Sequence, residues 1–446
     1  MLRKFTLLLL LPLLFVSQKS QAQRNPLLWP FADTSIWNMP IGSNAVYVDA
    51  QIQAPTRFGM TVDEDILILT PNAPMQDIYI SYADWDRNKD RCLREGPLLF
   101  SAPMPDSFLV SPQNWDGLTP NSGAAILMSD GQTIKQTQPF ARCSNNNVTS
   151  HYTPPDVNLF GEGIRGAHGG SGLSAIGGTI RLGELDDIND TIRHVLKVNL
   201  YAAANLYYDS STEGYRWPAI RADGYAAGNY GTQRTNPIVQ ACRMGALLAL
   251  PNYYDLDSMA FETIPGKILA RAFLKYGAYI VDDTAWDVYA IETEWSPEGC
   301  VIEEFESAWG FPFIESNLNT PWTRDMKKIF MNLHVVDNNA PGNIGGGGKP
   351  LAPLAPPFGT TSINRLPEDA FRIFPNPTKD FIGIEAKEFN QAFSGKIFDL
   401  RGKLLKTFSV RNGIQQLNMA DVAQGIYFIH LSNEKGEIFS KKIVKN

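Results

Sequence analysis

The sequence predicts a mainly β protein of more than one domain, and three observations predict it. Short apolar runs recur between Gly, Pro, Asn and Asp, while helical spacing appears in only one or two segments. Glycine and proline, 36 and 30 residues, supply many turns. A Gly/Pro-rich stretch then divides the chain near residue 341. The length, 446 residues, fits two to three domains. With 44% hydrophobic and 19% charged residues the composition is globular, not disordered. A net charge of −7 with few basic runs argues against nucleic-acid binding.

The elements follow in order. Residues 1–22 have the pattern of a signal peptide: Arg3 and Lys4, an apolar stretch from Leu7 to Val16 broken by Pro12, then Ser20 and Ala22 before Gln23. No later apolar run approaches 18 residues, so no internal membrane span is expected. The leader predicts passage through the periplasm and an oxidising route. Four cysteines allow three pairings. The expected pairs are Cys92–Cys143 and Cys242–Cys300, each bracketing one block of strands. No Cys/His spacing suggests zinc, and no cofactor motif is present, so neither metal nor cofactor is expected.

The passenger, residues 23–340, carries the strand patterns IYISYADW, AAILMSD, GGTIRLGEL, HVLKVNLYA, ALLALPN, GAYIVDD and DVYAIETE. One helix is predicted from Pro265 through KILARAFLKYG, with Ile268, Leu269, Ala272 and Phe273 at helical spacing and Gly277 at the stop; a second lies near Thr323–Leu333. The expected body is a β-sandwich or jelly roll with these helices docked on it; the alternative is an α+β fold. Residues 341–370, with four glycines from Gly345 to Gly348 and then spaced prolines, read as a linker. Residues 371–446 read as a small antiparallel, immunoglobulin-like β-sandwich with a Lys-rich end. Subtracting the tail (12 basic, 7 acidic) and the leader (3 basic) leaves 24 basic and 39 acidic residues between them, a net charge of −15.

In the tail, IFPNPTKDFIGIE, IFDLRGKLL, QGIYFIHLSN and the terminal KKIVKN together resemble the type A C-terminal sorting domain of the type IX secretion system. The resemblance implies contact with that machinery, export across the outer membrane of a Bacteroidota-type bacterium, removal of the tail at the surface, and a passenger released or surface-attached. In the passenger, SIWNMPIGS, DGQTIKQTQPFARC, GAHGGSGLSAIGGTIRLGEL, YRWPAIRADGYA and RMGALLALP resemble a group of secreted bacterial proteins. No activity is attached to that group, so this resemblance implies one coherent domain and no chemistry.

The candidate chemistry centres on GAHGGSGLS. His168 sits among glycines that let backbone and ligand approach, and a neutral imidazole can take or give a proton. The plainer reading is a tight turn with a packed histidine. With Arg142 to neutralise a uronate carboxylate and Tyr152 as a second proton-transfer group, His168 makes a lyase set. Glu292 and Glu294, two apart on a strand, share a face about 6.5–7 Å apart, within the range of a glycosidase pair, with Asp283 beyond them. The plainer reading is an exposed acidic edge. Trp217, Arg221 and Trp286 suit a sugar cleft, with rings for the apolar face and polar tips for hydroxyls, though large β proteins also bury Trp for its area. His194 reads as a hydrogen-bonded core histidine, and Arg181 as an ion-pair partner of Glu184. The expectation is a secreted or cell-surface carbohydrate-active protein that cleaves a polysaccharide by hydrolysis or β-elimination. The alternatives are a non-catalytic glycan-binding protein or adhesin, then a peptidase, for which no triad or zinc motif is readable.

Overall fold

A computed structural model describes residues 24–358 and 364–446, apart from positions 87, 111–120, 145, 190, 238, 366–369, 387–392, 400–403, 412 and 433–436. The leader lies outside the described residues. The chain forms two compact units, residues 1–358 and 359–446.

The first unit contains fifteen described strands and five helices. The strands are β1 (Tyr47–Asp49), β2 (Thr61–Ile68), β3 (Met75–Ile80), β4 (Leu98–Pro103), β5 (Ala124–Leu127), β6 (Thr133–Thr137), β7 (Ala141–Arg142), β8 (Val148–Ser150), β9 (Val157–Asn158), β10 (Leu196–Leu200), β11 (Leu247–Ala249), β12 (Ala278–Asp283), β13 (Tyr289–Ser296), β14 (Gly299–Cys300) and β15 (His334–Val336). The helices are α1 (Ala202–Asn205), α2 (Ala226–Asn229), α3 (Ile264–Lys275), α4 (Val301–Trp309) and α5 (Pro321–Phe330). A large sheet runs in the order β1-β15-β11-β12-β10-β13-β2-β5-β6-β9, with β14 paired to β13. It is mixed: β10 is parallel to β12, and β2 is parallel to both β13 and β5. A second sheet has the order β4-β3-β8-β7.

The mainly β class holds, and the two expected architectures divide the unit between them. At one end the small sheet closes a sandwich over β2 and β5, where Ile66, Ile68, Ala124 and Ile126 pack on Ile78, Ala102, Phe140 and Val148. At the other end helices cover the sheet. Val198, Ile280 and Ile291 meet Leu269 and Phe273 of α3 and Met326 and Phe330 of α5. Fully burying one such apolar side chain contributes about 1.5–3 kcal/mol. The parallel pairs depart from a jelly roll, whose neighbours are antiparallel throughout.

The helix α3 begins where Thr263 caps it, its side chain accepting from Gly266 N, and Gly277 (φ +74°) turns the chain into β12. GGTIRLGEL, expected as a strand, contributes one bridge, Ile180 to Thr293. Helix α4, not expected, presents Val301 and Phe305 to the core.

Two expectations are corrected. Cys92 and Cys143 form a disulfide, but Cys242 and Cys300 are free thiols. Cys242 is enclosed in the helix-covered core, while Cys300 caps α4 and donates to Glu64 Oε1 at 3.1 Å, so the two serve different surroundings. The expected linker also begins too early. Residues 341–358 belong to the first unit: Gly42 N donates to Gly345 O (2.9 Å), Asn44 N to Gly347 O (3.0 Å), and Leu351 N to Ile41 O (2.8 Å). Gly345 to Gly348 all have φ between +67° and +84°, a region open to glycine without strain, so the run is a shaped ribbon and not a tether.

In the second unit, Phe371–Phe374, Phe381–Ala386 and Gly413–Asn418 form one sheet. Phe393–Phe398, Leu404–Val410, Gly425–Ser432, Glu437–Lys445 and Asn364–Arg365 form the other. Phe371, Ile384, Phe393, Ile397, Ile429 and Ile443 lie between them, the β-sandwich that the alternating sequence predicts.

Candidate active site

The site grows from the middle of the large sheet. Register sets Asp63 of β2 beside Glu292 of β13, and Asp65 beside Glu294. Side chains two apart share a face, so these four carboxylates project to the side of the sheet away from α3 and α5. Lys197 and Asn199 of β10 join them, and Asn199 Nδ2 donates to Asp63 Oδ2 at 3.1 Å. The loop 166–174 lies over this face. Leu173 O accepts from His168 N, and Arg165 bridges to Leu173, holding the imidazole inward.

Asp65, His168, Lys197 and Glu292 are each 2% exposed or less. Asp65 Oδ2 accepts from Lys197 Nζ and from Thr179 Oγ1, both at 2.6 Å, and its Oδ1 lies 3.1 Å from His168 Nε2. Lys197 Nζ also donates to Ser174 O (2.9 Å) and stands 3.0 Å from His168 Nε2. Burial opposes ionisation of Asp65, but Lys197 and His168 outweigh it and hold the carboxyl below its usual range. The same two cations act on Glu292 but do not overcome its burial, and neither of its oxygens has a hydrogen bond. Burial and then Asp63 push it well above the usual carboxylate range. For His168, burial and Lys197 act against protonation, but Glu292, Asp65 and Asp282 prevail and raise it to about 10. Within one cluster Asp65 is thus held toward its ionised form and Glu292 is pushed toward its neutral one.

Nearer the surface is a second set. His168 Nδ1 lies 3.9 Å from Asp282 Oδ2. A Cβ placed on Gly170 would stand 2.7 Å from Asp282 Oδ1 and 3.3 Å from Asp223 Oδ1. These two oxygens are therefore no further apart than the sum of those distances, about 6 Å. Asp223 Oδ2 accepts from Tyr230 Oη at 2.6 Å. Burial, followed by Asp282, pushes Asp223 up to about 7. Burial and the nearby carboxylates likewise raise Asp63 to about 6. Asp223 and Asp282 are half-buried and reach solvent, and Tyr225 is exposed beside them.

The residues singled out from the sequence are dispersed in part. His168 is in the cluster and Glu292 is at its centre. Glu294 is spent on a buried ion pair with Arg181 (2.7 Å), which takes the place of the expected Arg181–Glu184 pair. Glu184 instead receives His194 Nε2 at 2.9 Å, and His194 is buried, as a hydrogen-bonded core histidine should be. Arg142 lies in the small sheet, buried against Met104 Sδ (3.4 Å) and Asp106 O (3.3 Å). Tyr152 meets the site through Arg221, whose guanidinium lies 5.1 Å from its ring centre and donates to Gly169 O at 2.9 Å. Asp283 accepts from Ala202 N, Ala285 N and Tyr225 Oη, tying α1 to β12. Trp217 and Ile220 line a cavity of about 460 Å³ with Arg165 and Val157. Trp286 is exposed and packs edge-on to Phe58. Sequence reasoning missed Asp63, Asp65, Lys197 and Asp223 as site residues. The available signals were the alternating acids of TVDEDILI and a lysine inside HVLKVNL.

Asp65, His168 and Glu292 each offer a ligand atom, all within 4.8 Å of one another. A divalent cation there would share the space with the Lys197 ammonium, already 2.6 Å from Asp65 and 3.0 Å from His168. The donor set fits a fixed lysine charge better than a metal.

Residues 372–446 match the secretion system C-terminal sorting domain family. The tail is a type IX secretion sorting domain. Such a tail marks the chain for export by that machinery, to secretion or cell-surface attachment, and no helix among the described residues is long and apolar enough to cross a membrane. No curated protein matches the chain. Among solved structures it is similar to a DUF3244 family protein with an immunoglobulin-like β-sandwich fold from Bacteroides vulgatus: 9% identity, 17% of this chain, 85% of that one, TM-score 0.16. It is also similar to PorZ, a surface component of the type IX secretion system of Porphyromonas gingivalis: 20% identity, 20% of this chain, 13% of that one, TM-score 0.15. Neither likeness carries an argument about the passenger.

Proposed function

We propose that the passenger is a glycoside hydrolase that cleaves a polysaccharide outside the cell. The observation that carries the reading is the pair Asp223 and Asp282, both reaching solvent, with facing oxygens no more than about 6 Å apart. Asp223, raised to about 7, holds the proton that a leaving glycosidic oxygen needs. Asp282, backed by His168, is the nucleophile on the other side of the bond. The cavity lined by Trp217 and Ile220 adjoins the same loop, since Ile220 Cγ1 would stand 2.7 Å from a Cβ on Gly172. Hydrolysis is favoured over β-elimination because Arg142, the residue expected to neutralise a uronate, is committed to the small sheet.

The test is a panel of neutral and acidic polysaccharides, read by reducing ends and by the absorbance of unsaturated uronate, with Asp223→Asn and Asp282→Asn alongside. New reducing ends without the absorbance, falling about 10²–10⁴-fold in Asp223→Asn, support the reading. Unsaturated product, or full activity in both variants, overturns it. Binding without cleavage by the wild type makes the passenger a glycan-binding protein.

A further inference from the structure

A second cavity, of about 520 Å³, lies away from this site, between the C-terminal half of α3, residues 191–193 and the Pro-rich segment 352–356. Its walls are apolar, with Trp29, Ile192, Ile268, Tyr276 and Leu354 among them. Its polar lining is cationic: Arg193, Arg271 and Lys275, with no carboxylate among the lining residues. All three are exposed, and none forms an ion pair with the described residues. Arg271 and Lys275 are four apart on α3, a like-charge spacing that works against the helix. The passenger around them has a net charge of −15, so three unpaired cations on one cavity stand out against a carboxylate-rich surface. The volume falls in the range of small-molecule sites.

We infer that this cavity binds a small amphipathic anion, a phosphate, sulfate or carboxylate joined to an apolar body. The charged group would meet Arg193, Arg271 and Lys275, and the body would lie against Trp29, Tyr276 and Leu354. Arginine suits this role because its planar fork pairs with two anionic oxygens at once. The Pro-rich segment forms one wall, which gives that stretch a use in the folded unit.

The test is calorimetric titration of the full secreted chain with octyl phosphate, octyl sulfate, octanoate, octyl glucoside and inorganic phosphate. At least one octyl anion should bind ten-fold or more tighter than both octyl glucoside and inorganic phosphate. That binding should weaken as salt rises and fall at least ten-fold in Arg271→Ala/Lys275→Ala. Both side chains are exposed, so the variant should fold; an unchanged unfolding midpoint checks this. Octyl glucoside binding as tightly as the anions would reduce the site to an apolar groove. Undetectable anion binding, or an unaffected double variant, would overturn the inference. The ranking of the three anions identifies the headgroup.

Discussion

Replacing Lys197 with Met keeps the length of the side chain and removes its charge, which sits in the interior at 0% exposure. At the 2.6 Å separation from Asp65, and with an effective dielectric of about 20, the lost Coulomb attraction is about 6 kcal/mol. Relief from desolving the ammonium offsets part of this, so the expected net loss is about 3–5 kcal/mol, the cost of leaving one buried partner alone. Unfolding by urea, followed by tryptophan fluorescence in the full chain, reads it cleanly, because all nine tryptophans precede the tail. The loss depends on pH in a definite sense. In the wild type Asp65 has a lowered pKa, so its contribution is present above the unfolded value of about 4 and is lost as pH falls through the folded one. In the variant only His168 is left to oppose burial, and Asp65 takes its proton at a higher pH than in the wild type. The gap between the proteins should therefore be widest near pH 7 and narrow steadily toward pH 4. A loss below 1 kcal/mol at pH 7, or a gap independent of pH, would refute the assignment of Lys197 as the resident cation.

Glu292→Gln should leave stability unchanged near pH 4, about the unfolded glutamate value, and become increasingly stabilising as pH rises toward 8. The raised folded pKa means that the wild type loses stability as pH rises through it, and glutamine does not; urea midpoints at the two pH values check this. Thiol titration of the denatured, unreduced chain should count two free thiols, Cys242 and Cys300; none would restore the second disulfide. Cys92→Ser/Cys143→Ser opens a loop of 51 residues and should cost about 4 kcal/mol by the chain-entropy relation, read in the same urea assay. Gly277→Ala should cost about 2 kcal/mol or more, since φ is +74° and the new Cβ would stand 2.4 Å from Leu248 O; a smaller change in the urea midpoint would show that the turn can relax.

Much of the fold was legible because local signals agreed with it. Helix α3 carries a cap, an apolar stripe and a glycine stop within fifteen residues, and the tail alternates cleanly in each strand. Helix α4 escaped because its two buried positions, Val301 and Phe305, lie among three glutamates in a nine-residue run. The site was legible only in fragments. Glu292 and His168 stood out by residue type, but their partners depend on register. Asp63 meets Glu292 across a parallel pair of strands more than two hundred residues apart, and nothing local to either strand announces that pairing. Asp223 sits in a turn whose sequence says only that it is polar. The glycine run misled for a related reason. Composition reports flexibility, whereas the observed left-handed conformations and backbone partners report a fixed shape.

Arg24 forms a bridge with Phe358 and places its guanidinium 3.8 Å from that ring's centre, so the earliest described residue of the first unit is clasped to the last. A chain made from its N-terminus cannot fasten that clasp until nearly the whole unit has been synthesised. The ribbon of glycines and the prolines after it are thus the final stitches of the passenger. A molecule cut before residue 358 would have its seam open, while one cut after it would keep the seam closed.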